Sequence, residues 1–343
     1  MIEYNPNDVA RKGSVFGYPY SIKEADLILL PVPWDVTVSY GAGTSDASEL
    51  ILEESTQLDL SLPRIQSPYK YPVAMELANR NMKSTSSVLR SKAEEIISRM
   101  ENIGELSNQD KVIQAEINKG CSEMVRLTKE QAAYHLSNDK IVGLVGGDHS
   151  TPLGVLQALG EIHEEFGILQ IDAHMDLRDS YEGFEHSPAS IMNNAVSVSS
   201  ISRIVQVGIR DYCEEEEDRV NELNGKVKVH FDETLQRERW KGISWLEQAE
   251  NILMDLPSKV YISFDMDGLD PSLCPNTGTP VPGGLSFNQA VFLIEEVVRS
   301  GRELIGFDVS ETGCAIWDAN VAARILFRLC ACAGVSRGRL NFA

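Results

Sequence analysis

Seven short apolar stretches recur along the chain, at residues 27–32, 141–145, 168–171, 204–207, 227–230, 260–264 and 304–309. Most are apolar at consecutive rather than alternate positions, the pattern of strands buried on both faces. Stretches with helical spacing separate them, at 48–58, 84–100, 109–136, 151–165, 214–223, 244–256, 286–299 and 317–332. This alternation predicts a three-layer α/β/α fold with a mainly parallel sheet and right-handed crossovers. Residues 61–138 hold two long helical patterns and no clear strand, so they are expected to form a helical crossover or a small insertion within one domain spanning 1–343. The acidic run from Glu214 to Asp218 precedes an amphipathic pattern and reads as the first turn of a helix, where the dipole favours it.

Composition narrows the function classes. A hydrophobic share of 43% supports a well-buried core, and a formal charge of −20 argues against a nucleic-acid partner, which needs a basic footprint. Strong acidity is consistent with solubility and with drawing in a small cation. The N-terminal residues lack a basic segment followed by an apolar run, and no uninterrupted apolar stretch reaches the roughly 18 residues that span a bilayer. Six scattered cysteines without a CxxC pair read as free thiols, so a cytoplasmic location is expected.

Three strand ends carry unusual chemistry. Gly146, Gly147, Asp148, His149 and Ser150 follow the second apolar run, and Asp172, His174 and Asp176 follow the third. Asp265, Asp267 and Asp270 close the sixth. Ligands of parallel sheets bind at the carboxyl ends of strands, so all three segments point to one rim. Residues spaced two apart in an extended backbone project to one side, which gathers Asp172 with His174 and Asp176, and Asp265 with Asp267. With His149 this makes four carboxylates and two imidazoles, a set that cannot stay ionised together without positive charge. Two divalent cations supply it, and a mixed Asp/His set without thiolate suits Mn²⁺, with other divalent first-row metals competing.

These motifs resemble those of the ureohydrolase (arginase/agmatinase) family, over residues 141–313 and again in the loop 31–44. The resemblance implies an arginase-like fold and a metal-dependent C–N hydrolase that releases urea from a guanidino group. It implies one cation on His149, Asp172, Asp176 and Asp265, and a second on Asp172, His174, Asp265 and Asp267. It further implies that Asp176 aims the attacking water, that His186 delivers the proton to the leaving nitrogen, and that Glu311 pairs with the substrate guanidinium. A homo-trimer or homo-hexamer is expected on the same ground.

Substrate signals conflict. The run Asp176, Leu177, Arg178, Asp179 resembles an agmatinase branch, whereas residues 277–285 resemble arginases. Arg178 is a substrate-binding candidate that either grips a carboxylate or is neutralised by Asp179. The expected reaction is agmatine to putrescine and urea, a step of polyamine metabolism, with Mn²⁺ or alternatively Ni²⁺. Guanidine, arginine and guanidino acids are the alternative substrates. A non-catalytic interaction protein on the same fold and a metallophosphatase are the readings from other classes.

Overall fold

The computed structural model describes residues 4–343. Eight parallel strands form one sheet: β1 (Leu27–Val32), β2 (Val73–Met75), β3 (Ile141–Gly146), β4 (Phe166–Ile171), β5 (Ile201–Ile209), β6 (Val227–Phe231), β7 (Lys259–Asp265) and β8 (Glu303–Ser310). Their order across the sheet is β2-β1-β3-β8-β7-β4-β5-β6. The seven apolar runs all became strands; all but the edge strand β6 are buried along most of their length, so apolar residues there find cover on both faces. β2 is a correction to the expectation that 61–138 holds no strand. Three residues are too few to show a period, and only pairing with β1 defines this edge.

Helices cover both faces. One apolar layer packs under α1 (Ala47–Ser55), and the other under α2 (Arg80–Ile103), α3 (Asn108–Leu136), α4 (Leu153–Ile162) and α5 (Ile191–Val196). Further along come α6 (Glu214–Glu222), α7 (Asp232–Trp240), α8 (Trp245–Met254), α9 (Phe287–Arg299) and α10 (Ile316–Ser336). α8, α9 and α10 complete the first layer. α10 is long and apolar enough by composition to cross a membrane, but it is mostly buried against the sheet. α2 and α3 occupy residues 61–138 and carry the chain from β2 to β3. α3 opens on a reciprocal cap, in which Ser107 and Asp110 each satisfy the other's backbone N–H.

The topology places the site. The chain passes from β3 to β4 by skipping two sheet positions, and β7 and β8 later fill them. The four central strands β3, β8, β7 and β4 therefore end side by side at the point where the winding reverses, the place where such sheets leave a crevice.

Candidate metal centre

Each of those four strands contributes to the centre. Beyond β3 the chain runs through Gly147, where a Cβ would fall 1.8 Å from the Trp34 carbonyl oxygen. Only glycine allows the 31–44 loop to pass this close. His149 follows, buried, with Nδ1 at 2.9 Å from Asp172 Oδ2, 3.0 Å from Asp176 Oδ2 and 3.3 Å from Asp265 Oδ2. Yet that nitrogen makes a hydrogen bond to none of them. His174 brings Nδ1 to 3.0 Å from Asp267 Oδ2 and 3.6 Å from Asp172 Oδ1. Two groups of ligand-type atoms result, His149 with Asp172 and Asp265, and His174 with Asp172 and Asp267, each within 4.8 Å.

Asp172 belongs to both groups, while Asp265 stands in the first alone. Asp265 Oδ1 accepts the Asp267 backbone N–H at 2.8 Å, as Asp172 Oδ1 accepts that of His174 at 2.7 Å. A donor set of buried carboxylates and imidazoles, converging without aligned hydrogen bonds, fits a pair of divalent cations. Without them the cluster must balance itself with protons. Burial and the charge of Asp172 push Asp176 up to about 7, and burial with Asp267 and Asp172 pushes Asp265 well above the carboxylate range. His174, against its burial, is held up to about 12 by Asp267 and Asp172.

A buried polar row lies one step below the ligands, and sequence reading overlooked it. In register across the sheet stand Asp308, Ser263, Gln170 and Gln206. Ser263 Oγ donates to Asp308 Oδ2 at 2.8 Å, so it must accept from His149 Nε2 at 2.9 Å. That places a proton of His149 on Nε2 and leaves Nδ1 as the atom to meet a cation; without one, and against its burial, the ring is pushed well above the ordinary histidine value by Asp172, Asp176 and Asp265. Gln206 Nε2 donates to Gln170 Oε1 at 2.6 Å, and Gln170 Nε2 in turn donates to Asp172 Oδ2 at 2.8 Å. The signal was present in the sequence: Gln170 and Ser263 are polar positions within apolar runs, two residues before the ligands Asp172 and Asp265.

Two of the carboxylate residues sit in a left-handed backbone conformation, Asp176 and Glu311, each at φ +56°. Such strain in non-glycine residues gathers where surrounding structure over-determines a functional geometry. Glu311 lies just past β8, with Oε1 accepting the His149 backbone N–H at 2.9 Å. Its Oε2 is buried without a partner.

The centre floors a cavity of about 220 Å³ whose wall includes Arg178, Tyr181, Ser187, Asp211, Glu216 and Glu311. Arg178 does not use Asp179, which is exposed and makes no ion pair among the described residues. Its guanidinium lies 5.0 Å over the Tyr181 ring, with Nε 3.9 Å from Glu216 Oε2. Glu216 was hidden inside the acidic run 214–218. It turns inward and also accepts the N–H groups of Leu177 at 3.0 Å and Cys213 at 3.1 Å. Only its contacts distinguish it from its neighbours.

The structure places His186, the residue expected to deliver the proton, against α3. It is not among the described residues that line the cavity, and its Nε2 faces Ser122 Oγ on α3 at 3.2 Å. The imidazole meets α3, while the next residues, Ser187, Pro188 and Ala189, line the cavity. Trp34 packs in the core. His135 pairs with Glu76 at 2.7 Å, well apart from the centre in the fold.

Against known proteins, residues 25–333 match the family model described as the arginase family. The chain belongs to the arginase family. An N(1)-aminopropylagmatine ureohydrolase of Thermus thermophilus is 32% identical over 293 residues, covering 85% of this chain and 84% of that one. A guanidinobutyrase of Pseudomonas aeruginosa is 32% identical over 198 residues, 55% of this chain and 58% of that protein. The crystal structure of the agmatine ureohydrolase of Thermoplasma volcanium superposes with a TM-score of 0.68 at 22% identity, covering 92% of both chains, and so shares the fold. Arginase-family enzymes are binuclear metal-dependent ureohydrolases, which agrees with the two ligand groups around Asp172.

Proposed function

We propose that this arginase-family member hydrolyses a guanidino compound with a cationic tail, agmatine first among them, to urea and the amine, using two Mn²⁺ ions per chain. The observation that carries the reading is the pair of ligand groups sharing Asp172 on the floor of a cavity that Glu311 also lines. His149, Asp172, Asp176 and Asp265 would hold one cation, and Asp172, His174, Asp265 and Asp267 the other. Bound there, the cations supply a water nucleophile at neutral pH and Lewis-acid stabilisation of developing charge.

The chain's own groups do the rest. Glu311 presents its unpartnered Oε2 to the guanidinium and fixes the carbon above the centre. Asp176 accepts a hydrogen bond from the attacking water and aims its lone pair at the guanidino carbon, and His186 delivers the proton that the leaving nitrogen needs. A homo-oligomer belongs to the same reading.

The tail preference follows from the wall charges. Glu216 offsets Arg178, and the Tyr181 ring covers one guanidinium face, while Asp211, with Oδ2 3.8 Å from His174 Nε2, adds an exposed acid to the same wall. A distal ammonium therefore meets net negative charge, and the aminopropyl extension named for the Thermus relative adds a further cation of the same kind.

Urea release from agmatine, aminopropylagmatine, arginine, guanidine and guanidinobutyrate after Mn²⁺ or Ni²⁺ loading tests this. Cationic-tailed substrates should give the highest kcat/KM, and Arg178→Ala should change agmatine turnover by less than about threefold. If Arg178 instead grips a carboxylate, a charge-assisted contact of about 1.5–3 kcal/mol is at stake. Arg178→Ala would then cost roughly tenfold to a hundredfold on guanidinobutyrate or arginine alone. That result, with poor agmatine turnover by the parent, overturns the substrate assignment and leaves urea release intact. No urea from any of the five, with metal bound, overturns the function.

A further inference from the structure

β5 reaches the rim beside β4 and then bulges. Gly208 adopts φ +98°, and the register with β6 shifts between Val207 and Ile209. A Cβ at Gly208 would fall 3.0 Å from the Asp172 carbonyl oxygen, so glycine lets the two backbones run this close. Just beyond, the N–H groups of Arg210 and Asp211 both donate to the Ala173 carbonyl, at 2.8 and 3.1 Å, and Asp211 bridges to His174. The backbone of Arg210 is thereby anchored to the segment that carries Asp172 and His174.

Its side chain reaches the segment that carries Asp267. Nη2 donates to the Asp267 carbonyl at 2.6 Å, the Leu269 carbonyl at 3.1 Å and the Val281 carbonyl at 3.0 Å. Nε donates to the Val281 carbonyl at 3.2 Å, and Nη1 to that of Gly208 at 3.0 Å. Every one of these bonds ends on backbone and none on a carboxylate. A fixed positive charge does nothing to draw a dication to this spot. The planar fork of donors, by contrast, can hold several carbonyls in one arrangement.

The third segment in its grip is the loop that follows Val281. Gly283 and Gly284 stand at φ +100° and +94°, and a Cβ on Gly284 would fall 2.9 Å from Arg210 Nη2. Asp232 Oδ2 accepts the Gly284 N–H at 3.1 Å. Leu285 then donates to the Gly268 carbonyl at 3.0 Å, and Asp270 to that of Leu285 at 2.9 Å. The start of this loop, Gly278 and Thr279, lines the cavity, and Thr279 Oγ1 lies 3.5 Å from Asp267 Oδ2.

We propose that Arg210 is a positioning residue for the second cation. It ties the Asp172–His174 segment to the Asp267–Leu269 segment and to the cavity loop 277–285, and so sets the spacing of the second ligand group. The first ligand group includes His149, to which Arg210 makes no tie, so the effect is selective. The inference rests on the two-cation reading above.

The test is Mn²⁺ titration of the full-length protein, as parent, Arg210→Lys and Arg302→Lys. Lysine keeps the charge but offers one nitrogen in place of the fork. Arg302 is the control: its guanidinium also donates to backbone carbonyls, those of Leu253 and Leu256, but at the amino end of β8, the far end of the sheet from the centre. Arg210→Lys should weaken the second ion by roughly 10- to 100-fold and leave the first within about threefold. In EPR the coupled signal of two Mn²⁺ ions should give way to that of a single ion. Amides of 267–270 and 281–285 should exchange faster in the metal-free variant. Arg302→Lys should keep both ions within about threefold of the parent, whatever it does to Tm. Two ions bound by Arg210→Lys with parental affinity, or an equal loss at both sites, overturns the positioning role. So does the same selective loss in Arg302→Lys. Should Arg210→Lys fail to fold, Asp232→Ala decides by the same titration: it frees only the Gly284 N–H, and it should weaken the second ion alone. A parent chain that takes up fewer than two ions overturns the two-cation reading itself, and this inference with it; the readout does not depend on which guanidino compound is cleaved.

Discussion

Asp172→Ala should leave a folded protein that retains neither metal through dialysis and turns over more than about 10³-fold more slowly than the parent. Asp172 is the one residue found in both ligand groups, so its removal opens both at once. It is also the ligand most firmly supported from below. Gln170 donates to Oδ2 at 2.8 Å and the His174 backbone N–H to Oδ1 at 2.7 Å, which orients both oxygens before any cation arrives. Metal analysis after dialysis should give two divalent ions per parent chain and fewer than one for the variant. Because the cations bind the folded state alone, Mn²⁺ should raise the parent's Tm and leave that of the variant nearly unmoved. A variant that keeps two ions and normal turnover would sink the binuclear assignment. Asp265→Ala, which removes the second shared carboxylate of the proposed ligand set, should have the same effect.

What was legible in the sequence was what local pattern encodes. Consecutive apolar residues mark strands whatever lies around them, and ligand-type residues two apart at strand ends announce one rim of a parallel sheet. His149, Asp172, His174, Asp265 and Asp267 meet there because β3, β4 and β7 stop at the same level. Residues whose role depends on side-chain direction were not legible. Glu216 is one of four consecutive glutamates, and only its burial against the N–H groups of Leu177 and Cys213 sets it apart. Arg178 stands next to Asp179 in the chain, yet its guanidinium extends to Glu216 and Tyr181. His186 follows Asp176 by ten residues, and a turn with two left-handed residues then sends its ring towards α3. The three-residue β2 and the short α5 were below the length at which a period can be seen.

Glu311→Gln should keep both metals and the fold while lowering kcat/KM on the preferred guanidino substrate by roughly 10²–10³-fold. Glu311 is 6% exposed, and its backbone is fixed on both sides, by its own N–H to the Gly147 carbonyl at 2.9 Å and by Thr277 Oγ1 to its carbonyl at 2.7 Å. One carboxylate oxygen is satisfied by the His149 N–H, whereas the other has no partner and belongs to a cavity-lining residue. A buried oxygen left unpaired costs free energy that the fold alone does not recover, which is the signature of a group waiting for a ligand. Burial, with the charge of Asp148, pushes the Glu311 carboxyl well above its ordinary range. A carboxylate raised in the folded state destabilises the fold as pH climbs above its unfolded value, so the amide should hold the Tm at neutral pH or increase it. A guanidinium in the cavity reverses that balance, because it restores the ionised form and pairs with it. Loss of activity with unchanged or greater stability is therefore the expected combination. A Glu311→Gln variant with parental kcat/KM would remove Glu311 from substrate binding.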